Sequence, residues 1–226
     1  MTSVKLVCYS KATPEFEADG LENLQDLIAF CAKVSNPTAQ INKETSERLI
    51  KYLIKHHHWS PLEMVNATLE IETTRDIAHQ IVRHRSFAFQ EFSQRYADPK
   101  TMGEMFILSE ARMQDTKNRQ NSIETEDEYI KERWEEEQLK VITRAQTAYE
   151  WAIDNGIAKE QARKVLPEGL TKSRLYMQGS IRSWIHYIEL RGANGTQKEH
   201  MEIAHACAKV IADIFPLAKE ITYESK

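Results

Sequence analysis

The chain is poor in the residues that usually announce a nucleotide site. Its 226 residues hold only seven glycines, and neither GxGxxG nor GxxxxGK[ST] occurs, so any nucleotide is held without a glycine-rich phosphate loop. Cysteine is as sparse. Cys8, Cys31 and Cys207 are odd in number, far apart and outside any CxxC spacing, which argues against a disulfide framework or a cysteine zinc site and fits a reducing, cytoplasmic setting. All three are expected in the core, Cys8 and Cys31 on an apolar strand and helix, Cys207 on a helix face with Ala204 and Ile211. No apolar run approaches the ~20 residues of a membrane span, and residues 1–20 lack a signal-peptide pattern, so neither membrane nor secretion is expected. Basic charge is not in excess either. Thirty Lys and Arg stand against 34 Asp and Glu, a net charge of −4, which argues against broad nucleic-acid binding. A chain this long buries roughly 70% of its unfolded surface and needs no covalent or metal staple.

What is present is hydrophobic periodicity of both kinds. A strand is expected over residues 3–8, then a helix carrying Leu21, Leu24, Leu27, Ile28 and Cys31 as far as Val34, stopped at Ser35-Asn36-Pro37. Residues 43–57 read as a second helix with Leu49, Tyr52 and Leu53 on one face. Ser60-Pro61-Leu62-Glu63 has the capping-box arrangement, yet Val65, Ala67, Leu69 and Ile71 then alternate with polar residues. That predicts one helical turn followed by a half-buried strand. Helical spacing returns over 74–83. Residues 113–128 are polar apart from Ile123 and predict a mobile loop or lid. A long amphipathic helix follows over 126–154, with the acidic run 135–137 on a solvated face. A short helix at 159–165, a strand at 175–178 and helices at 181–190 and 196–218 complete the pattern. Without repeats, linkers or a change of composition, the expectation is a single α+β domain over 1–226, with a mixed or antiparallel sheet flanked by long helices.

Charge is unevenly spread. From Arg75 to Arg95 four arginines face two acids, Asp76 and Glu91, an excess of +2; from Arg163 to Arg191 six basic residues meet Glu168 and Glu189, an excess of +4. Two cationic segments in an acidic chain point to a locally held anionic ligand. Arginine suits it because its planar fork grips phosphate or a pyrimidine carbonyl edge through paired hydrogen bonds. Phe87, Phe89, Phe92 and Tyr96 interleave with Gln90, Glu91, Ser93, Gln94 and Arg95, as a stacked heterocycle bearing a phosphate requires. For Arg83-His84-Arg85 alone the simpler reading is a solvated basic helix end. His84, between two arginines, is expected to stay neutral through like-charge repulsion and to act by hydrogen bonding. Ser93 has no base near it in sequence and reads as a donor to the ligand rather than a nucleophile. His56-His57-His58 invites a metal reading, but consecutive side chains diverge on helix or strand, so no metal is expected.

Arg83-His84-Arg85, seven residues, then Ser93, flanked by Gln80, Glu91, Arg95 and Tyr96, resembles the signature of the flavin-dependent thymidylate synthases. The similarity extends to Ala32-Lys33-Val34-Ser35, the run His58 to Glu63, the run Ala162 to Pro167, and Leu190-Arg191. The resemblance implies an FAD-dependent methyltransferase that converts dUMP to dTMP, with methylenetetrahydrofolate as carbon donor and NADPH as reductant, and without a cysteine nucleophile. It implies that Gln80, Arg83, Glu91, Ser93, Gln94, Arg95, Arg163 and Arg191 hold dUMP, with Arg191 the catalytic residue against the uracil ring. Ser35, His58, Ser60, Arg83, His84, Arg85, Glu91, Ser180, Arg182 and His186 would hold FAD. Family members are similar in being homotetramers whose sites are shared between chains. This chain departs from its relatives at Met64, where they often carry His, and over residues 177–183.

Two further classes stay open on the residues alone. One is a nucleic-acid-binding module that stacks bases on the arginine-aromatic stretch. The other is a helical interaction protein using 126–154 as a partner helix.

Overall fold

The computed structural model describes residues 2–218. Its frame is a four-stranded sheet in the order β1 (Ser3–Tyr9), β2 (Asn66–Thr74), β6 (Lys172–Ser180), β3 (Ala88–Glu91), with every neighbouring pair antiparallel. A separate hairpin joins β4 (Arg112–Gln114) to β5 (Ser122–Glu124). The helices are α1 (Pro14–Ala18), α2 (Leu24–Ala32), α3 (Ser46–Lys55), α4 (Arg75–Ile81), α5 (Glu128–Asp154), α6 (Lys159–Ala162), α7 (Ile181–Arg191) and α8 (Lys198–Ile214). This is an α+β fold with an antiparallel sheet. Among the described residues no helix is long and apolar enough to cross a membrane.

The two central strands show why the sheet has one dry face. In β2 the residues Ala67, Leu69, Ile71 and Thr73 are buried, and in register opposite them lie Gly179, Met177, Leu175 and Ser173 of β6. The reverse face pairs Glu70 with Tyr176 and Glu72 with Arg174. There Tyr176 Oη donates to Glu70 Oε2 at 2.9 Å, and Lys172 Nζ lies 2.9 Å from Glu72 Oε2. Burial pushes the Glu72 carboxyl up, but hydrogen bonds from Lys172 and Arg174 outweigh it and hold the group below the ordinary carboxylate range. A one-residue slip in this pairing would put the carboxylates in the core.

The dry face is covered by α4, α7 and α8. Ile77 and Ile81 of α4, Trp184 and Ile185 of α7, and Ile203, Cys207 and Ile211 of α8 share one cluster with the strand residues. Each fully buried aliphatic side chain of this kind contributes about 1.5–3 kcal/mol. α7 starts where β6 ends. Ser180 caps it by accepting a hydrogen bond from the Ser183 N–H at 3.2 Å, and Trp184 Nε1 donates to the Ala67 carbonyl at 3.1 Å, tying the helix back onto β2.

Several expectations are corrected. β6 is nine residues long, not four, because Lys172, Arg174 and Tyr176 face ion pairs rather than apolar neighbours and so hide the strand from hydrophobic patterning. β3 was not expected at all. The segment 113–128, expected to be a mobile loop, contributes to the β4–β5 hairpin: Asp115 accepts from the N–H groups of Lys117 and Asn118 in its turn, and Arg112–Glu199 and Lys198–Glu124 ion pairs stitch it to α8. Of the cysteines only Cys207 is in the core; Cys31 is half-buried, and Cys8 is exposed on the edge strand β1 beside an irregularity between Leu6 and Cys8.

Gly179 is where backbone and side chain approach most closely. A Cβ there would lie 2.4 Å from the Phe87 ring, and Phe87 is itself packed edge-on against Trp184, with centroids 4.9 Å apart. Gly179→Ala is therefore expected to cost about 1–3 kcal/mol of unfolding free energy as an overpacking change. Urea denaturation measures this, and a loss below about 0.5 kcal/mol would show that Phe87 can give way.

Candidate functional site

The loop between α4 and β3 holds Arg83-His84-Arg85, and its backbone turns twice, from the Arg83 N–H to the Gln80 carbonyl and from the His84 N–H to the Ile81 carbonyl. The turn leaves Arg83 and Arg85 exposed and tucks His84 inward. There His84 meets the last residue of α7, with Arg191 Nε donating to His84 Nε2 at 2.9 Å. A guanidinium cannot accept a hydrogen bond, so His84 Nε2 carries no proton and the neutral ring keeps its proton on Nδ1. Burial first, and then the Arg191 charge, pushes the His84 pKa down. The expected neutrality thus has a different cause. The charge that opposes protonation comes from Arg191, 107 positions away, rather than from the flanking arginines.

Behind this contact lies a polar chain that starts in the core and ends at the surface. Tyr187 and His200 are both buried, with His200 Nε2 3.1 Å from Tyr187 Oη. His200 Nδ1 is 3.3 Å from Gln80 Oε1, and Gln80 Nε2 donates to Gln197 Oε1 at 2.8 Å. Burial, reinforced by Arg191 and His84, pushes His200 down to about 3.

Other expected residues gather at two neighbouring places. Glu91, at the end of β3, accepts from Ser173 Oγ at 2.8 Å, with Arg75 Nη1 at 3.6 Å. After it, the turn carrying Ser93, buried Gln94 and Arg95 lies against α6. Arg95 pairs with Glu160 at 3.5 Å and Lys159 donates to the Tyr96 carbonyl, which brings this turn close to Arg163 at the end of α6. Gln94 Nε2 is buried without a hydrogen-bond partner. The third group lies along the first half of α7. Arg182 is ion-paired with Glu63 of the Ser60–Glu63 turn, and the His186 ring sits edge-on to Trp59 at 4.5 Å, next to His58 and Ser60 in sequence. Ser180 is the α7 cap, and Ser35 is exposed after α2.

Charge separates these arginines. Among the described residues Arg83, Arg85, Arg163 and Arg191 form no ion pair, whereas Arg95 and Arg182 do. Four cations without a carboxylate partner leave net positive charge available to an anion. A cavity of about 640 Å³ lies elsewhere, among α5, the start of α8 and residues 107–112, and none of the expected site residues lines it. His56 and His58 sit with rings 6.3 Å apart, and the described residues contain no cluster of three His, Cys, Asp or Glu arranged for a metal.

Comparison with known proteins decides the family. The model of the family described as thymidylate synthase complementing protein matches residues 19–217. A probable flavin-dependent thymidylate synthase of Paramecium bursaria Chlorella virus 1 is 47% identical over 98% of this chain and 99% of its own length. The flavin-dependent thymidylate synthase of Synechocystis sp. is 48% identical over 92% and 94% respectively. The chain belongs to the flavin-dependent thymidylate synthase family. A crystal structure of the UMP/dUMP methylase PolB from Streptomyces cacaoi, bound with 5-Br dUMP, shares the fold at TM-score 0.79 and 24% identity, covering 98% of this chain and 94% of that one.

For a chain of this family, the sequence signature is legible but its support is not. Ser173, Tyr187, Gln197 and His200 carry no signal of this kind in the sequence pattern, and Arg75 shows only as one of the clustered arginines. The one available signal was His200 on the apolar face of α8, four residues before Ala204 and seven before Cys207.

The buried histidines make stability pH-dependent. Unfolded histidines take up a proton near pH 6.5 while folded His200 does not until about 3, so stability present above pH 6.5 is lost as pH falls through that window, at up to about 1.4 kcal/mol per pH unit per histidine. Denaturant unfolding at pH 7 and pH 5 is expected to show wild type losing about 1–2 kcal/mol more than His200→Gln. Equal losses would show that His200 is protonated in the folded protein.

Proposed function

We propose that this chain catalyses the reductive methylation of dUMP to dTMP, with methylenetetrahydrofolate supplying the carbon and NADPH the hydride through FAD. The overall balance is dUMP, methylenetetrahydrofolate, NADPH and a proton giving dTMP, tetrahydrofolate and NADP⁺. Family membership favours this enzymatic reading over a nucleic-acid module or a helical interaction protein. The observation that carries it is the contact between Arg191, which has no acidic partner among the described residues, and neutral His84 in the Arg83-His84-Arg85 turn.

The residues fit the ligands by charge and shape. Arg83, Arg85 and Arg163 offer unpaired guanidinium groups to phosphates, for which paired N–H donors are the best match. Gln80, Glu91, Ser93, Gln94 and Arg95 complete the nucleotide site in this reading, and the orphaned Gln94 Nε2 gains an acceptor there. Ser35, His58, Ser60, Ser180, Arg182 and His186, with Arg83, His84, Arg85 and Glu91, hold the flavin. When bound, the flavin supplies two-electron transfer that no side chain of this chain can perform. Arg191 donates Nε to His84 and so keeps its terminal N–H groups for the pyrimidine, where a fixed cation stabilises negative charge developing on the ring. His84 serves by staying neutral, because a charged imidazole would repel the guanidinium it orients.

We place the complete site between chains of a homotetramer. Within one chain the expected flavin residues fall into separate groups, around His84 and around Trp59, and Met64 and Leu190, close to these groups in sequence, are both 59% exposed. Light scattering is expected to report four times the 26.2 kDa chain, and a monomer would overturn the shared site.

The decisive assay is anaerobic NADPH oxidation with dUMP and methylenetetrahydrofolate, followed by measurement of dTMP. Arg191→Ala is expected to lower dTMP formation about 100- to 1,000-fold, the scale of losing one directed transition-state donor, with unfolding unchanged. A colourless protein that FAD cannot reconstitute, or flavin reduction without dTMP, would overturn the proposed reaction.

A further inference from the structure

The chain Tyr187–His200–Gln80–Gln197 runs from a buried phenol to an exposed amide, and its direction can be read from the buried end. Tyr187 is 1% exposed and packed among His84, Trp184 and Phe87. A buried phenol O–H must donate, and among the described residues the acceptor that Tyr187 meets is His200 Nε2 at 3.1 Å. His200 Nε2 is therefore the unprotonated nitrogen, and neutral His200 carries its proton on Nδ1. The Nδ1–H faces Gln80 at 3.3 Å, so the Gln80 atom it meets must be the carbonyl oxygen. The Gln80 amide nitrogen is left pointing away, with one N–H spent on Gln197 Oε1 at 2.8 Å. The opposite polarity would turn the Gln80 amide round and make His200 donate to Tyr187, leaving the buried phenol hydrogen without an acceptor, which costs about 1–3 kcal/mol.

We infer that Tyr187 and His200 are positioning residues that fix the orientation of the Gln80 amide, so that its second N–H, a donor and not a carbonyl, is presented to an acceptor oxygen of the bound nucleotide. The inference rests on the proposed reading of Gln80 as a nucleotide-binding residue. A uracil carbonyl and a phosphate oxygen are both acceptors, so either satisfies this donor. Neither Tyr187 nor His200 touches the nucleotide in this account; both act through Gln80. The arrangement also explains why a histidine is buried here: glutamine or asparagine in its place would carry both a donor and an acceptor on one freely flipping amide, whereas an imidazole pinned by a phenol holds one polarity.

The test uses full-length, FAD-loaded protein labelled with [15N]histidine, as wild type and as Tyr187→Phe, which keeps the ring and deletes the O–H. Long-range proton-nitrogen spectra are expected to show the Nδ1–H tautomer for His200 in wild type, and a shift towards Nε2–H or a mixture in the variant. Calorimetric titration with dUMP is expected to give about fivefold weaker binding in Tyr187→Phe, the scale of one neutral hydrogen bond, with kcat at saturating dUMP within about twofold. A merely structural role would lower the unfolding temperature and move neither the tautomer nor the dUMP affinity. An Nε2–H tautomer in wild type overturns the inference, as does unchanged dUMP affinity in the variant while wild type binds dUMP. Wild-type protein that fails to bind dUMP overturns the nucleotide reading together with it, and the two failures are thus told apart.

Discussion

The structure depends on two strand-to-helix junctions that contain no loop. β2 passes into α4 between Thr74 and Arg75, and β6 passes into α7 between Ser180 and Ile181. Because the two strands are antiparallel neighbours, the helices leave from opposite ends of the pair and fold back over the same dry face. Their seven and eleven residues extend about 10 Å and about 16 Å, and the nine-residue strands are about 30 Å long. The C-terminal ends of the two helices therefore approach each other near the middle of the sheet. That is where His84 and Arg191 meet, although 107 positions separate them in the chain. The register of β2 on β6 fixes where each helix begins, and so fixes the site.

This convergence also makes the charge distribution tolerable. Two helix C-termini carry partial negative charge, which favours the arginines collected there without any carboxylate being spent on them. The chain's surplus of acid is neutralised elsewhere. On α5, Glu128, Glu136 and Glu137 pair with Lys131, Arg133 and Lys140 along a solvent face. Neutral histidines fill the space between the unpaired arginines and the core. If His84 or His200 were charged, it would add to the positive field behind Arg191 with no carboxylate beside it among the described residues, and burial makes that costly.

Much of the fold could be read from periodicity because most of its elements bury a regular stripe. α4, α5, α7 and β2 begin and end within a few residues of the hydrophobic pattern. The failures share a cause. β6 alternates apolar residues with Lys172, Arg174 and Tyr176, whose partners Glu70 and Glu72 lie about a hundred positions away, and the β4–β5 hairpin is held by turn hydrogen bonds and ion pairs rather than by burial. Cys8 looked like core because Leu6 and Val7 precede it, but an edge strand has only part of its surface covered. The site divides in the same way. Arg83-His84-Arg85, Ser93 and Arg191 stand out because clustered arginines in an acidic chain are conspicuous, while Tyr187, His200 and Ser173 look like ordinary helix and strand residues until the fold places them behind the conspicuous ones.

Arg191 owes its position to the residue after it. Gly192 donates its N–H to the Ile188 carbonyl at 2.8 Å, and its own carbonyl lies 3.2 Å from His205 Nε2. A Cβ at that position would stand 2.7 Å from the Ile188 carbonyl oxygen of α7 itself and 3.2 Å from the His205 ring of α8, so a side chain there would crowd the last turn of α7 and press on that ring. The close crossing is what brings His200, one turn into α8, within hydrogen-bonding distance of Tyr187, one turn before Arg191 on α7. A bulkier residue after Arg191 would displace the last turn of α7, the turn that carries Tyr187 and so its hydrogen bond to His200. The packing of α8 on the last turn of α7 thus joins Tyr187 to His200, and through His200 to Gln80, behind residues that are conspicuous elsewhere in the sequence.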